Sequence, residues 1–337
     1  MVGAGANGAA VGADLTRAGL DVTLIEQWPA HVERMRADGV RVEVQAASGE
    51  REVEVTPVRV HHFCEVAELR RPFDVVLLLV KAYDTPWAAR LILPLLAGDG
   101  LLVGVQNGMT AAEVEQLAGP ARTLGCVIEV SSTMYEPGTI HRHTPRERSW
   151  FAVGSLSPAA AGREQELVDV LSHSGTVAVV DDILAAKWMK LVSNASVLVT
   201  TASLGLPMAD AIAVPGMREL MVRAGQEALD VGRALGHPVL PIFGLDPAAL
   251  AEPEQVSETL LDTLYKNFVR PGATTTVLQD WRKGRRSEAA DLNGVVAREG
   301  AANGVPTPVN DAILAVARRI EAGELEPSAA NLDLLRA

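Results

Sequence analysis

The sequence predicts an α/β protein in two parts, with strands and helices alternating over residues 1–180 and helices alone over residues 181–337. Three observations lead to this prediction. A glycine-rich motif opens the chain, short runs of aliphatic residues recur until about residue 180, and apolar residues at helical spacing follow them. A length of 337 residues is enough for two domains, each with its own core.

The composition narrows the class of protein. The chain carries 30 basic and 42 acidic residues, and a net charge of -12 makes nucleic acid an unfavourable partner. The longest apolar runs, such as VVLLLV at 75–80, are too short to cross a bilayer, and no leader precedes the first motif. Cys64 and Cys126 have no metal or redox spacing. We therefore expect a cytoplasmic protein with reduced core cysteines, no metal and no membrane contact.

The first element is a glycine turn that suits a dinucleotide. Gly3, Gly5 and Gly8 form the pattern G-x-G-x-x-G, followed by a helix-like run and then an apolar strand. The first glycine permits a tight turn, the second lets the backbone approach a pyrophosphate, and the third lets the helix pack on the strand. A Rossmann-type dinucleotide-binding domain is therefore predicted for residues 1–180, a purely structural turn being the alternative. The predicted cofactor-binding residues of this turn are Gly3, Gly5, Ala6, Asn7 and Gly8.

Further short apolar runs predict buried parallel strands. DVVLLLVK at 74–81 and GLLVGVQNG at 100–108 both end in polar residues or glycine. Because ligands of open α/β sheets bind at the carboxyl ends of the strands, we expect Lys81 and Asn107 to lie near the cofactor. Each also fits an ordinary polar residue at a strand end. Only two residues precede the glycine motif, so the first strand is either very short or has lost its beginning.

The residue after the second strand bears on the choice of cofactor. Glu26 can accept hydrogen bonds from ribose hydroxyls and repels a 2′-phosphate, which favours NAD(H). Arg34 and Arg36 follow closely and leave NADP(H) open.

Helices are predicted throughout the second half of the chain, which we expect to form an all-α domain. Leu220, Ala224, Ala228 and Val231 share a face at helical spacing, and Gly236 is a suitable stop signal. The proline-rich segment 237–254 predicts a connecting loop. The other predicted helices lie at 254–269, 287–303 and 308–322.

The stretch AKWMKLVSNASVLVTT at 186–201 predicts a core helix that carries two polar groups. Lys190 and Asn194 lie four residues apart and therefore on one helical face. Either that face is solvated, with Lys190 a surface lysine whose stem covers Trp188, or it directs a proton donor and an amide at a substrate. Lys187, on the same helix, is the alternative candidate for the proton donor.

With these residues identified, the chain resembles the ketopantoate reductase (2-dehydropantoate 2-reductase) family over most of its length. The matching stretches, in the family's order, are GAGANG at 3–8, VKAYDT at 80–85, GVQNGM at 104–109, WMKLVSN at 188–194, TTTVLQD at 274–280 and SEAADLNG at 287–294. The resemblance implies reduction of a small 2-oxo acid, 2-dehydropantoate, to pantoate with NADP(H), the family's usual cofactor.

The resemblance also implies roles at matching positions. Lys190 matches the family's general acid, and Asn194 a substrate-binding amide. Asn107 matches an asparagine that contacts nicotinamide and substrate. Glu288 matches a carboxylate that binds the substrate hydroxyl and the lysine, although Asp291 could serve in its place and a solvated acid at a helix start is the alternative.

Two further matches and two departures concern the substrate. Thr276 stands where the family has a serine that binds the substrate carboxylate, and Lys81 where it has a lysine near the cofactor. Leu198 replaces a second substrate asparagine, a loss that should weaken ketopantoate recognition by about 1–3 kcal/mol. Glu129 replaces a threonine or histidine and disfavours a second anionic group on the substrate.

These departures leave other functions open. The first alternative is a family member that acts on a different 2-oxo or 2-hydroxy acid, which Leu198 favours. A non-catalytic dinucleotide-binding regulator would have no use for Lys190, and WMKLVSN argues against an opine-type dehydrogenase. A homodimer is expected on base rates alone.

Overall fold

The computed structural model describes residues 1–45, 51–250, 252 and 255–336. The chain divides into two compact units, one of Met1–Gln106 and Thr110–Leu184, the other of Asn107–Met109 and Ala185–Ala337. Residue 254, at which one predicted helix begins, and residues 251 and 253 of the predicted connecting loop lie outside the described residues.

The first unit alternates strands and helices. Its strands are β1 (Thr23–Glu26), β2 (Val40–Gln45), β3 (Arg51–Thr56), β4 (Arg59–His62), β5 (Phe73–Leu78), β6 (Leu96–Val105), β7 (Thr123–Glu129), β8 (Ser132–Glu136), β9 (Thr139–Arg142), β10 (Trp150–Ser155) and β11 (Thr176–Val179). Its helices are α1 (Ala6–Arg17), α2 (Pro29–Asp38), α3 (Thr85–Ile92), α4 (Ala111–Ala118) and α5 (Glu164–Leu171).

The main sheet has the order β4, β1, the segment at Val2, β5, β6, β7, β10, β11. Val2 forms parallel bridges with Ile25 and Leu78 and so occupies the position between β1 and β5. Its paired strands run parallel except for β7 and β10, which are antiparallel. Numbered along the chain without β2 and β3, the strands from β4 to β7 follow the Rossmann order 3-2-1-4-5-6. The glycine turn therefore begins where the strand order reverses.

Alternation along the strands sends apolar side chains to two cores. On β6, Leu101 and Val103 join a cluster that includes residues of α1, α2 and α5, whereas Leu102 joins one formed with α3 and α4. Strands buried on both faces need such continuous apolar runs, which is why GLLVGV was recognisable as a strand.

A second sheet, of order β3, β2, β9, β8, packs against α1. A buried ion network ties the two together. Asp14 on α1 contacts the guanidinium of Arg142 on β9, accepts a hydrogen bond from Ser174 Oγ at 2.6 Å, and pairs with Arg17 and Arg146 at 2.5 and 2.8 Å. Arg142 is itself buried and donates further to Thr144 O, Ser149 Oγ and Ser174 O.

The second unit is helical in all its described elements, which confirms the predicted α/β class with an all-α C-terminal part. Its helices are α6 (Ile183–Ser203, whose first two residues belong to the first unit), α7 (Met208–Ile212), α8 (Met217–Ala234), α9 (Val256–Asn267), α10 (Thr276–Arg282), α11 (Asn293–Asn303), α12 (Pro308–Glu321) and α13 (Leu332–Arg336). In the part of the chain that the structure describes, no helix has the length and apolarity that a membrane span requires.

Helix α6 is buried almost all round, although it contains many hydroxyl residues. Thr201 and Ser203 each donate to the carbonyl four residues earlier, so their polar groups are satisfied inside the helix. Trp188 donates from Nε1 to Ala228 O of α8 at 2.8 Å, and a Cβ at Gly232 would lie 2.3 Å from the indole. Close approach at this glycine therefore seats α8 on α6.

The prediction of two core cysteines is half right. Cys126 is buried, whereas Cys64 is exposed, because it lies beyond the end of β4 in a 3-10 turn, Phe63–Glu68. Its Sγ lies 3.0 Å from His62 Nδ1. Within the described ranges, no three His, Cys, Asp or Glu side chains are grouped so that they could hold a metal ion.

Candidate active site

The glycine turn has the shape that a dinucleotide requires. Gly3 has φ 90°, and a Cβ there would lie 2.7 Å from the backbone of Leu79 and Val80. A Cβ at Gly8 would lie 2.0 Å from Gly3 O, so α1 could not pack on the turn with any other residue. At Gly5, by contrast, a Cβ would meet no atom within 4 Å. The first and third glycines close the turn, and the second leaves open space above the backbone.

The start of α1 fits an anionic group. Its first N–H groups have no partner inside the helix, the N-cap Gly5 supplies no side chain, and the first turn contains no acidic residue. Asn7 Oδ1 is buried, and no group in the described chain donates to it. These features match a pyrophosphate on the backbone with a hydrogen-bonding group of the ligand at Asn7.

Glu26 is engaged with the backbone. Its Oε2 accepts a hydrogen bond from Ala4 N at 2.8 Å and its Oε1 one from Trp28 N at 3.0 Å. His31 Nδ1 accepts from Gly138 N at 2.8 Å, so the ring proton lies on Nε2 and is donated to Ala4 O at 2.9 Å. Both backbone groups of Ala4 are thereby fixed by side chains. Burial lowers the pKa of His31, opposed by the Ala4 carbonyl and the charge of Glu26.

The two arginines that follow Glu26 are engaged by carboxylates. Arg36 donates to Glu33 at 2.9 Å, to Val60 O at 3.2 Å and to Glu65. The hydrogen bond to the Glu65 carboxylate raises the pKa of the Arg36 guanidinium. Arg34 pairs with Asp38 at 2.8 Å.

The loops after β5 and β6 are joined by Gln106, a residue that was not predicted as part of the site. The amide of Gln106 is buried and donates to Val80 O at 2.8 Å, Lys81 O at 3.3 Å and Thr85 Oγ1 at 3.0 Å. The residue therefore fixes the backbone that carries Lys81. Its position one residue before Asn107 in GVQNGM was the available signal. In the same unit Glu129, the last residue of β7, is buried.

In the second unit, α6 carries Lys190 and Asn194 on a face that is buried rather than solvated. The two residues are 7% and 4% exposed, which does not fit the surface-lysine alternative. Asn194 Nδ2 donates to Asn107 Oδ1 at 3.1 Å, so these two predicted substrate amides are adjacent. Lys187, the alternative candidate for the proton donor, is also buried.

The ammonium of Lys190 lies against an aromatic ring. Its Nζ is 4.9 Å from the ring centroid of Phe243, whose ring packs on that of Phe268 at 5.4 Å. The proline-rich segment containing Phe243 was predicted only as a connecting loop. The dipeptide Phe243-Gly244, an aromatic residue beside a glycine in an otherwise loop-like segment, was the available signal for a functional role.

Glu288 is buried in a turn that the neighbouring helix fixes. Ser287 donates from its Oγ and its backbone N to Glu321 Oε1, at 2.6 and 3.0 Å, and its Oγ accepts from Ala289 N at 3.2 Å. Glu288 is 5% exposed, so it is not a solvated helix-terminal acid. A Cβ at Gly108 would lie 2.9 Å from Asp291 O, which places the segment Asn107–Met109 beside this turn.

Thr276 begins α10 with an unused hydroxyl. Its Oγ1 is buried, and the described residues offer it no hydrogen-bond partner. The preceding Thr275 caps the helix by accepting from Leu278 N at 3.3 Å and donating to Leu198 O at 2.9 Å. The backbone of Leu198 thus anchors α10, while its side chain is only half-buried.

Comparison with known proteins bears on both units. Residues 1–155 match the family described as "Ketopantoate reductase PanE/ApbA", and residues 182–321 match "Ketopantoate reductase PanE/ApbA C terminal". A 2-dehydropantoate 2-reductase of Mesorhizobium japonicum is 30% identical, covering 95% of this chain and 96% of its own length. One from Archaeoglobus fulgidus is 26% identical, covering 96% and 97%.

Solved structures agree with these matches. A PanE/ApbA family ketopantoate reductase from Ralstonia eutropha superposes with a TM-score of 0.77 at 28% identity, covering 96% of this chain and 99% of the other. A D-mandelate dehydrogenase in a ternary structure with NADH and anilino(oxo)acetate has a TM-score of 0.81 at 20% identity, with the same coverage. At that identity the second likeness concerns the fold alone.

Proposed function

The chain belongs to the ketopantoate reductase family, and on that premise we propose that it reduces the 2-oxo acid 2-dehydropantoate to pantoate. It is an oxidoreductase of CH–OH groups that uses a nicotinamide dinucleotide. The observation that carries the proposal is the buried Lys190 one helical turn from the paired amides of Asn194 and Asn107.

Lys190 supplies the proton and the charge that the reaction needs. When bound, the nicotinamide provides the hydride. As the ketone oxygen gains negative charge, the Lys190 ammonium stabilises it and then donates a proton to it. Because the residue is buried, this electrostatic interaction is stronger than it would be in water.

The neighbouring polar groups bind the rest of the substrate. Asn194 uses one N–H on Asn107 Oδ1, which orients both amides and leaves the Asn107 N–H groups to donate without adding charge. The Thr276 hydroxyl donates to the substrate carboxylate and so gains the hydrogen-bond partner that the described residues do not give it. The buried Glu288 matches the family's carboxylate and would accept a hydrogen bond from a substrate hydroxyl.

For the cofactor we propose a preference for NAD(H) over NADP(H). Glu26 places a buried carboxylate at the end of β1, where it disfavours a 2′-phosphate. A 2′-phosphate binds best to an arginine that is available, and Arg36 already donates to Glu33, Glu65 and Val60 O. Equal kcat/KM values for NADH and NADPH would contradict this preference.

Leu198 supports a second candidate substrate. Its half-buried apolar side chain stands one turn beyond Asn194, where the resemblance implied an amide. A 2-oxo acid without a distal hydroxyl would have no polar group beside Leu198 that lacks a hydrogen-bond partner. The same chemistry then acts on an acid with an apolar side chain.

One set of assays tests these statements together. NADH and NADPH oxidation is followed with 2-dehydropantoate and with 2-oxo acids that lack the distal hydroxyl. We expect Lys190→Met to lower kcat about a hundredfold or more while the dissociation constant of the dinucleotide barely changes. Lys187→Met, the same change three residues earlier, is the control and should keep most of the turnover. Full turnover of Lys190→Met would exclude the mechanism, and dinucleotide binding without turnover of any acid would favour a regulator.

A further inference from the structure

Phe243 has an unusual backbone. Among the residues that the structure describes, it alone combines a Cβ with a positive φ, 61°, and Gly244 after it has φ 73°. Left-handed conformations are disfavoured for residues with a Cβ, because it approaches the backbone carbonyl too closely. Glycine would occupy the position without strain. A strained residue that keeps a large aromatic side chain points to a use for that side chain.

The contacts of the ring identify the use. The strained backbone directs the ring to Lys190, whose Nζ lies 4.9 Å from the centroid, within the range of a cation–π interaction. Phe268, immediately after the end of α9, packs on the ring at 5.4 Å with an interplanar angle of 52°. Two aromatic side chains from different segments thus build one wall beside the ammonium.

We infer that Phe243 is a positioning residue that holds the Lys190 ammonium in the orientation needed for proton transfer. The inference rests on the proposed function, because it gives Phe243 a role only through Lys190. A buried ammonium requires compensation for lost hydration. The face of an aromatic ring attracts the positive charge yet has no lone pair that would take the proton.

The experiment changes the ring electrostatics while keeping the shape of the side chain. Phe243 is replaced by phenylalanines carrying one, two and three ring fluorines, which withdraw electron density from the face. The logarithm of kcat should fall steadily along the series, while KM for the 2-oxo acid stays within about twofold. Phe243→Leu, which removes the face altogether, should lower kcat about tenfold, equivalent to ~1.4 kcal/mol. Phe243→Tyr, which keeps the aromatic face, should retain most of the wild-type kcat.

Controls separate this inference from folding and from the proposed function. Phe73→Leu makes the same change in the first unit and should leave kcat unaltered, and thermal melts verify that each variant is folded. A flat fluorine series, or equal kcat for the leucine and tyrosine variants, overturns the inference. If Lys190→Met is inactive and kcat does not change along the fluorine series, Lys190 remains the proton donor and only the role of Phe243 is refuted. If Lys190→Met is active, the proposed function itself fails.

Discussion

The open space above Gly5 leads to a prediction that separates cofactor binding from folding. Gly5 has φ -63° and ψ -162°, a conformation that alanine adopts, and its added methyl group would touch nothing within 4 Å. Gly5→Ala should therefore leave the stability of the apo protein within about 1 kcal/mol of the wild type, because the less flexible unfolded chain offsets the poorer helix cap.

The same methyl group should impair dinucleotide binding. It would stand in the space through which a pyrophosphate reaches the N–H groups at the start of α1. A hydrogen bond to a charged group contributes about 1.5–3 kcal/mol, so losing two of the weaker kind amounts to about 3 kcal/mol. The dissociation constant of NADH should then rise about a hundredfold.

Gly8→Ala is the matched control, because it makes the same chemical change three residues later with the opposite structural consequence. Its methyl group would lie 2.0 Å from Gly3 O, a backbone atom that cannot move independently. Overpacking of this kind costs about 1–3 kcal/mol or more, so the melting temperature of the apo protein should fall.

Thermal melts of the apo proteins and titrations with NADH measure the two effects. The expected pattern is a stable Gly5→Ala protein that binds NADH poorly and a Gly8→Ala protein that is itself unstable. Wild-type affinity in Gly5→Ala would show that the dinucleotide does not approach the chain at Gly5. A large loss of apo stability in that variant would refute the assignment of empty space.

Three further predictions concern stability and substrate binding. Asp14→Asn should destabilise the protein by about 3–5 kcal/mol, because it leaves the buried Arg142 without its counter-charge, whereas Asp38→Asn in an exposed pair should change less than about 1 kcal/mol; denaturant unfolding compares them. Burial lowers the pKa of His31, so below its usual pKa of 6.5 the unfolded chain binds a proton that the native ring does not, and stability declines as pH falls from 7 towards the lowered value. Thermal melts across this pH range should show that the melting temperature of His31→Gln falls less steeply with pH than that of the wild type. Equal slopes for the two proteins would contradict the lowered pKa of His31. Thr276→Val should raise KM for the 2-oxo acid about tenfold and Thr276→Ser should not, because only the serine keeps the hydroxyl; equal KM values would remove the carboxylate contact.

Local demands of the backbone made much of the fold predictable. The glycine turn was readable because a turn, a close helix and an approaching ligand each restrict one position to glycine. Strands β1, β5 and β6 followed from apolar runs, and helices α6, α8, α9 and α12 followed from apolar spacing. The other strands of the main sheet were predicted only as part of the alternating pattern. Cys64 was misplaced because its exposure depends on where β4 ends, a boundary that periodicity locates poorly.

The parts of the site that escaped prediction depend on contacts between distant segments. Nothing near Glu26 in the sequence indicates that its carboxylate accepts a hydrogen bond from Ala4 N, 22 residues away. Nor does the sequence indicate that His31 donates to the carbonyl of the same residue. Gln106 and Phe243 were missed for the same reason, since each acts on a group far along the chain. Sequence patterns report what a residue needs from its neighbours, not what it does for a remote one.

The hydrogen bonds that Glu26 and His31 make with Ala4 connect the choice of cofactor to the geometry of the glycine turn. Since Glu26 fixes Ala4 N while standing at the ribose end of the predicted cofactor site, replacing it to admit a 2′-phosphate would also release the turn that receives the pyrophosphate. Glu26→Gln keeps an oxygen for one backbone N–H but brings an amide N–H group towards the other donor. A change of cofactor at this position alone should therefore weaken binding of both dinucleotides, and an effective switch requires a second change that holds Ala4 in place.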